Sequence, residues 1–484
     1  MNYSLAILEF AVIGFGLLLL LADLGTPAEL KRKLGYAAAA ALGLVLLFSF
    51  SQFVDTGSAA KAFKGMYVQD GLALFFKRFF LVAAIIVLLM SVEFSDRIAT
   101  GISEYYSLVL FALAGMMFAA SSNDFAMLFV SLELITVTFY ILVSFQRSRV
   151  NSLEAGVKYL ILGALSSAFM VFGIALIYAA TGSISFDWLA TLTGLMRENM
   201  LLQTGLLLVM VGLGFKIAAF PFQIWAPDVY QGAPAPTTAF LAVGSKAAGF
   251  VLLLRVLFHA APDITIKWEP LLMVVAAVTI LYGNLCAIPQ RNLKRLLGYS
   301  SIANAGYLLL GITAATRSGS AAVLYYLAGY LFTVLAAFAV ISVLLRKTDG
   351  EDISALGGLN QRSPMLAAIM TLAMVSLAGV PPLAGFFGKF LLLKAVAEQA
   401  VSYKPYFALI AVAIVGVVIS LYYYFGVIRA IYWTKEPADV SPIEVSAPMR
   451  YCLLVCLGGM LYLGIFPNYP ITIATDAVQA LRLN

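Results

Sequence analysis

Five ionisable side chains lie inside apolar stretches of this sequence. They are Glu133, Lys158, Lys216, Lys246 and Lys389. A charged side chain at the centre of a membrane-spanning helix costs roughly 2.5–3.5 kcal/mol on insertion scales, so it is rare without a use. Such residues commonly carry protons or other cations through a polar interior. The sequence therefore predicts translocation of protons or cations, and it indicates no bond-making chemistry.

The composition predicts the environment of these residues. The chain has 484 residues, of which 62% are hydrophobic and 11% are charged, whereas a soluble domain has about 25% charged residues. Hydropathy predicts an all-α, polytopic membrane protein of about 14 transmembrane helices joined by short loops. The net charge of +6 is scattered over those loops, so nucleic acid is not an expected partner.

The sequence indicates no redox or metal centre. Cys452 and Cys456 are one helical turn apart and Cys286 is distant, while His259 is the only histidine. Two thiols without further ligands do not make a zinc or iron–sulfur site. Neither a dinucleotide-binding glycine motif nor a phosphate-binding loop occurs. We therefore expect no cofactor and no metal in this chain.

Two of the predicted spans are interrupted by proline. In the seventh span Pro221 follows Lys216 closely, and because proline has no N–H the carbonyl of Ile217 loses its helical donor. In the twelfth span Pro381 and Pro382 precede Lys389, and they free two more carbonyls, those of Leu377 and Ala378. Such carbonyls are tolerated at bilayer depth only inside protein or beside water.

The two interruptions lie five spans apart, which indicates two structurally related halves. A five-span unit followed directly by its copy must be inverted in the membrane, with polar sites near the midplane. The predicted fold therefore contains two inverted five-helix repeats, each with a broken helix. The predicted parts are an N-terminal three-helix segment at 1–104, a first repeat at 105–258, a second repeat at 268–433, and a C-terminal transmembrane helix and tail at 434–484.

The deep charges differ in their expected partners. Glu133 lies roughly 14 Å into its span, with Thr136 and Tyr140 on the same face. Lys216 and Lys246 have no counter-charge within their own helices, so an ion pair between Glu133 and one of them is expected. A neutral Glu133 that is hydrogen-bonded to a neighbour is the alternative.

The remaining charges near the spans have simpler interpretations. Lys158 follows Glu154 by one turn, so a local ion pair with the ammonium reaching towards the interface explains it without a function. Lys389 lies nearly on the face of the second break, whereas Lys394 is rotated by about 140° and is expected at the interface. Arg255 lies near a helix end and is expected to extend towards the interface.

Loop charges predict the orientation in the membrane. Loops after odd-numbered spans carry 15 lysines and arginines against 9 after even-numbered spans, when Lys77 is counted with the loops. The positive-inside rule then places both termini on the non-cytoplasmic side. The N-terminus lacks the basic region and cleavage site of a signal peptide and is predicted to be a retained span.

Three sequence runs carry a resemblance to a known family. They are GFKIAAFPFQIWAPDVYQGAPAPTTAFLAVGSKAAGF at 214–250, GYSSIANAGY at 298–307 and LAGVPPLAGFFGKF at 377–390. They resemble the antiporter-like membrane subunits of respiratory complex I, and the similarity covers essentially the whole chain. The resemblance implies a subunit that moves protons while NADH is oxidised and quinone reduced in other subunits.

The resemblance also implies individual roles. Glu133 and Lys216 would form the ion pair of the first half-channel, Lys246 would be the central relay and Lys389 the terminal proton site. Lys158 would modulate the ion pair. The sequence departs from many members of the family at Gln223, where they have histidine, so the proton path would run through lysine, glutamate, tyrosine and water.

The resemblance further implies where the chain works and with what. It would lie in a bacterial cell membrane beside other membrane subunits of the complex, such as subunits M, K and a J-like subunit. The flavin, the iron–sulfur clusters, NADH and quinone would belong to the complex and not to this chain. A subunit of a multi-subunit sodium/proton antiporter, and a non-conducting structural subunit, are the alternatives.

Overall fold

The computed structural model describes residues 3–55, 57, 59–98, 100–347, 350–434 and 441–483. Within them, twelve helices are long and apolar enough to cross a membrane, and Pro364–Ala378 is a shorter apolar helix. The predicted second span is the 15-residue helix Leu34–Phe48, and the twelfth is broken as expected. The prediction of an all-α polytopic membrane protein is confirmed.

Four α-helices and a small hairpin lie in the described residues of the N-terminal part. The helices are α1 (Ile7–Gly25), α2 (Ala28–Lys31), α3 (Leu34–Phe48) and α4 (Gly71–Phe94). Strands β1 (Ala60–Ala62) and β2 (Tyr67–Gln69) pair antiparallel with Ala60 opposite Gln69. The carboxylate of Asp70 starts α4, because it accepts a hydrogen bond from the backbone N–H of Ala73 at 2.8 Å.

The next eight helices form five spans. They are α5 (Ile102–Ala120), α6 (Phe125–Val143), α7 (Val150–Thr181), α8 (Phe186–Leu192), α9 (Met200–Ile217), α10 (Trp225–Gly232), α11 (Ala235–Phe240) and α12 (Lys246–Arg255). The last span runs without interruption from Ala235 to Ala260. It includes two π-helical segments, at Leu241–Ser245 and Val256–Ala260.

In the C-terminal half, the part of the chain that the structure describes contains ten α-helices. They are α13 (Pro262–Lys267), α14 (Glu269–Ala287), α15 (Leu293–Thr313), α16 (Arg317–Lys347), α17 (Leu359–Arg362), α18 (Pro364–Ala378), α19 (Ala384–Ala400), α20 (Pro405–Trp433), α21 (Ala447–Ile465) and α22 (Asn468–Ala477). Short 3₁₀ segments lie at Tyr3–Ala6, Phe63–Gly65, Ser95–Arg97, Ile353–Leu356 and Val478–Ala480.

The same neighbour relations recur five spans apart. Helix α5 packs on α6 as α14 packs on α15, and α7 contacts both α9 and α10 as α16 contacts both α18 and α19. Helix α9 packs on α12 as α18 packs on α20. Two related five-span units predict this pattern. The boundaries assigned to the two repeats remain a prediction.

Close contact between backbones fixes the first broken helix. At the crossing of α7 and α9, a Cβ on Gly173 would lie only 2.5 Å from the carbonyl oxygen of Gly205. Small residues allow membrane helices to approach in this way. Since Lys216 lies near the end of α9, this contact also sets its position relative to α7.

Candidate functional site

Lys216 lies at the end of the first half of a broken helix. Helix α9 stops at Ile217 because Ala218 adopts a left-handed conformation with φ of 58°, and Pro221 follows it. The Lys216 side chain is buried, and its Nζ donates a hydrogen bond to the Thr136 hydroxyl on α6 at 2.9 Å. The lysine therefore faces the polar stripe of α6 that the sequence predicted.

Glu133 lies one turn before Thr136 on α6 and is half-buried. Its carboxylate accepts a hydrogen bond from the Ser167 hydroxyl on α7. A direct ion pair between Glu133 and Lys216 was predicted, but the structure does not contain it. The charge of Glu133 nevertheless acts on Lys216. The prediction was wrong because Glu133 hydrogen-bonds to Ser167 and Lys216 hydrogen-bonds to Thr136, so neither group needs the other as its partner.

The region directly after the first break is partly helical. Helix α10 begins at Trp225, whose indole N–H donates to the carbonyl of Phe215 at 2.9 Å and ties the two halves together. The backbone N–H of Phe220 donates to the Thr279 hydroxyl at 3.1 Å. Gln223 is buried nearby, and its Oε1 has no hydrogen-bond donor among the described residues.

Lys246 lies in the unbroken span next to a π-helical segment. Segments of this kind are rare and occur frequently at functional sites. The buried Nζ of Lys246 donates to the backbone carbonyl of Ser301 at 2.6 Å and contacts its hydroxyl, and that hydroxyl lies 3.0 Å from the hydroxyl of Tyr230. The central lysine is thereby connected to α15, in the second half of the chain.

Helix α15 carries a buried polar stripe that sequence reasoning did not assign. Ser300 contacts the Tyr424 hydroxyl at 2.5 Å, Asn304 donates to the Ser300 carbonyl at 2.9 Å, and Tyr326 donates to Asn304 at 2.5 Å. Tyr307 is one turn further along. The signal was present in the run 298–307, whose polar residues recur at helical spacing.

Lys389 binds the carbonyl groups that the second break exposes. Its Nζ donates to the carbonyl of Leu377 at 2.7 Å and lies 3.4 Å from that of Ala378. It also lies 4.7 Å from the centre of the Tyr307 ring, within the range of a cation–π contact. The sequence identified these two carbonyls as the ones that Pro381 and Pro382 leave without helical donors. In the structure the ammonium group of Lys389 takes the place of those donors.

Each buried lysine thus lies in its own group of polar side chains. Glu133 accepts from Ser167, Lys216 donates to Thr136, Lys246 donates to Ser301, and Lys389 lies against Tyr307 of the α15 stripe. We call these groups together the polar axis, and their joining into one proton path is proposed below. Lys394 does not belong to it, because that side chain is exposed and pairs with Glu398 at 3.8 Å.

Lys158 lies away from the polar axis, in a cluster of charges. Its Nζ is 2.8 Å from Glu154 and 2.8 Å from Asp228, and Asp228 also contacts Arg295. These residues line an open cavity of about 240 Å³. The predicted pair with Glu154 is confirmed, and Asp228 on α10 is an additional partner.

Among the described residues, two ion pairs with both side chains buried lie outside the predicted set. Arg255 does not extend to the interface: its guanidinium is buried and binds both carboxylate oxygens of Asp70, at 2.8 and 3.1 Å. Lys77 is not a loop residue: it lies in α4 and pairs with Glu9 at 2.7 Å, both fully buried. The expected interfacial position of Arg255 and the loop position of Lys77 were therefore wrong. Neither ion pair could be predicted, because each partner carboxylate is distant in sequence.

The described residues contain no group of three or more histidine, cysteine, aspartate or glutamate side chains arranged to hold a metal ion. Cys452 and Cys456 are buried free thiols on α21, and Cys286 is a free thiol on α14. The arrangement provides hydrogen-bonded lysines, hydroxyls and carbonyls, and those groups suit proton transfer.

Comparisons with known proteins agree with this arrangement. A family described as NADH:quinone oxidoreductase/Mrp antiporter, transmembrane, matches residues 122–420. NADH-quinone oxidoreductase subunit N of Desulforamulus reducens is 39% identical over 100% of this chain and 99% of its own length. The chain therefore belongs to the NADH:quinone oxidoreductase/Mrp antiporter family of membrane proteins, within the group of subunits N.

Solved structures show the same fold. A chain of respiratory complex I from Thermus thermophilus aligns with a TM-score of 0.80 and 33% identity, covering 97% of this chain and all of that one. A chain of the Mrp complex from Dietzia aligns with a TM-score of 0.85 over 100% of this chain and 98% of that one. Its identity of 20% shows a shared fold alone.

Proposed function

We propose that this chain is a proton-translocating membrane subunit of a bacterial NADH–quinone oxidoreductase. It lies in the cell membrane with both termini on the non-cytoplasmic side, beside other membrane subunits such as M, K and a J-like subunit. Electron transfer from NADH to quinone takes place in other subunits of the complex and drives proton movement here. Flavin, iron–sulfur clusters and quinone belong to the partners.

The observation that carries the proposal is the polar axis itself. Three lysines are almost fully inaccessible, yet each has hydrogen-bond acceptors on another helix or at a helix break. A buried lysine with such neighbours can lose and regain a proton, which a relay requires. In this proposal Glu133 and Lys216 act in the first half, Lys246 joins the halves and Lys389 is the terminal site.

The proposal assigns Lys158 a modulating role. Its ion pairs with Glu154 and Asp228 lie at an open cavity, and the same Asp228 is part of α10, directly after the first break. A change in that cluster therefore acts on the broken helix that carries Lys216. Lys158 itself is too exposed to serve as a buried relay group.

The test compares Lys389→Met with Lys394→Met in the whole complex, reconstituted in vesicles. The two residues are on one helix, and only Lys389 is buried on the polar axis. We expect Lys389→Met to lower NADH-driven proton uptake by about tenfold or more, because positioned acid–base groups typically contribute at least that much. Lys394→Met is expected to pump normally. Equal uptake by both variants would contradict the proposal and favour a non-conducting structural subunit.

A sodium/proton antiporter subunit is the second candidate, because the matched family and the Mrp fold include both kinds of protein. The two functions differ in what drives ion movement. The proposed function requires an NADH-oxidising partner for proton uptake, whereas an antiporter exchanges protons for sodium without NADH. Uptake measured with and without NADH, and with and without a sodium gradient, separates them.

A further inference from the structure

A pair of opposite charges is buried in the N-terminal part of the chain, outside both repeats and apart from the polar axis. Glu9 on α1 and Lys77 on α4 have side chains with 0% exposure, and Lys77 Nζ lies 2.7 Å from Glu9 Oε1. The function proposed above uses neither residue. A completely buried ion pair at this position therefore has no role in that function.

The two partners are not equally satisfied. Besides Glu9, the ammonium of Lys77 reaches the Tyr67 hydroxyl at 2.6 Å and Gln69 Oε1 at 2.5 Å, so all three of its protons have acceptors. The second carboxylate oxygen, Glu9 Oε2, is buried without a hydrogen-bond partner among the described residues. Glu9 therefore retains one site at which a proton can bind.

Stability alone is a weak reason to keep such a pair. Burying two charges costs several kcal/mol per ion before their attraction is counted, and well-packed apolar side chains of similar volume often stabilise a protein as well or better. Helices α1 and α4 already contribute buried apolar residues such as Leu8, Val12 and Phe76. The retained charges point to a use beyond holding helices together.

A series of further charges connects the pair with the exposed surface around Lys61 and Asp187, which we call the N-terminal face. Asp70, which starts the helix of Lys77, binds Arg255, and both act electrostatically on Lys77. Further outward His259 Nε2 lies 3.3 Å from Asp187, and Asp187 binds Lys61 at 2.6 Å.

Asp187 and Lys61 are 33% and 47% exposed, so the series ends at the surface. Burial by itself would raise the pKa of Asp187, but Lys61, Asn123 and His259 lower it to about 2. Asp187 is therefore ionised at neutral pH and gives the series a fixed negative end. Arg255, in the middle of the series, is on helix α12, which also carries Lys246 of the polar axis.

We propose that Glu9 and Lys77 form a second proton-exchange site, which takes up and releases protons between the polar axis and the N-terminal face. The step is a transfer within the pair: an N–H bond of Lys77 breaks, an O–H bond forms on Glu9, and the ion pair becomes a neutral amine and a neutral carboxyl group. The inference rests on the proposed function, because the site serves only a chain that moves protons.

The first test removes both charges at once, so that neither is left buried alone. Glu9→Gln with Lys77→Met is placed in the whole complex in vesicles, and the amount of assembled complex is measured as NADH oxidation with an artificial electron acceptor. The matched control is Asp23→Asn with Lys31→Met, an ion pair of 2.8 Å that also involves α1 but is partly exposed. We expect the first double variant to lower proton uptake per NADH by about tenfold or more, since positioned proton-transfer groups typically contribute at least that much, and the control to leave it unchanged.

A second measurement detects the proton on Glu9 directly. NADH-induced infrared difference spectra of the wild-type complex should contain a protonated-carboxyl band that shifts in Glu9→Asp, which keeps the carboxylate. A purely structural ion pair would give no such band, so the same spectra without a shift overturn the inference even if the double variant does not assemble. Full proton uptake by the double variant also overturns it.

The result can be separated from a failure of the proposed function by measuring Lys389→Met in parallel. If Lys389→Met stops proton uptake while the Glu9 and Lys77 variants pump and absorb like the wild type, only the second site is disproved. If Lys389→Met also pumps normally, the proposed function itself fails.

Discussion

In the first broken helix the lysine comes before the break, whereas in the second it comes after. Lys216 precedes the left-handed residue Ala218 and reaches across to Thr136 on another helix. Lys389 lies on α19, beyond the break, and folds back onto the carbonyls of Leu377 and Ala378 on α18. The two halves share their architecture but differ in what holds the ammonium group.

This difference separates two ways of controlling a buried lysine. The ammonium of Lys216 hydrogen-bonds to a neighbouring helix and interacts electrostatically with Glu133. Lys389 has backbone carbonyls and the Tyr307 ring, and no carboxylate lies within 4.0 Å of it among the described residues. A carboxylate should therefore matter in the first half, and the shape of the break should matter in the second.

The largest effect is expected for the carboxylate of the first half. Glu133→Gln keeps the hydrogen-bonding shape but removes the charge that acts on Lys216, and we expect NADH-driven proton uptake to fall by about tenfold. Glu133→Asp should retain part of it. The measurement is proton uptake per assembled complex in vesicles.

A carboxylate on the second broken helix supplies the control. Glu398 lies on α19 and pairs with the exposed Lys394, so Glu398→Gln should leave proton uptake unchanged. If both glutamine variants lose uptake equally, the proposed contrast between the halves is wrong.

A smaller effect is expected from filling the second break. Gly379 has φ of 84°, and a Cβ there would lie 3.0 Å from Cδ of Lys389, so Gly379→Ala should displace the ammonium from its carbonyls. The left-handed backbone costs an alanine about 1–2 kcal/mol, and we expect a several-fold loss of proton uptake in addition to reduced thermal stability.

Gly182→Ala is the control that separates the effect of backbone strain from the effect of displacing the Lys389 ammonium. Gly182 has φ of 71° at the end of α7, and a Cβ added there would meet nothing within 4 Å. This variant should show a similar loss of thermal stability and normal proton uptake. If Gly182→Ala lost as much proton uptake as Gly379→Ala, backbone strain would explain the loss in both variants, and displacement of the ammonium would not be needed.

The smallest effect is expected at the hydroxyl that binds Lys216. Thr136→Val removes that acceptor, and because hydrogen bonds to charged groups contribute about 1.5–3 kcal/mol, Lys216 should shift towards Glu133 with a loss of uptake of about twofold. Thr138→Val, on the same helix, is the control, since among the described residues the Thr138 hydroxyl bonds to nothing but the carbonyl of Leu134. Identical uptake by the two variants would show that Thr136 does not position the lysine.

Local chemistry made much of this site predictable from sequence. Proline lacks an N–H wherever it occurs, so the carbonyls freed at Leu377 and Ala378 could be named in advance. Hydropathy likewise located the spans, and the rotation of Lys394 away from Lys389 followed from helical geometry.

Long-range pairing could not be read in the same way. Arg255 was expected at the interface because its partner, Asp70, is 185 residues away. Lys77 was counted with the loops, since Glu9 lies on a different span. The expected pair of Glu133 with Lys216 was wrong because side-chain hydroxyls on two helices, Ser167 and Thr136, take up the hydrogen bonds. Such outcomes depend on which helices meet.

The ion pair between Asp70 and Arg255 has a consequence for biogenesis. Asp70 both starts α4 and binds Arg255 on α12, so one carboxylate serves an early and a late part of the chain. During synthesis α4 enters the membrane several spans before Arg255 has been made. Because an unpaired carboxylate is costly in the bilayer core, we expect the first turn of α4 to remain at the aqueous boundary until α12 arrives. Insertion of the eighth span would then complete the packing of the third.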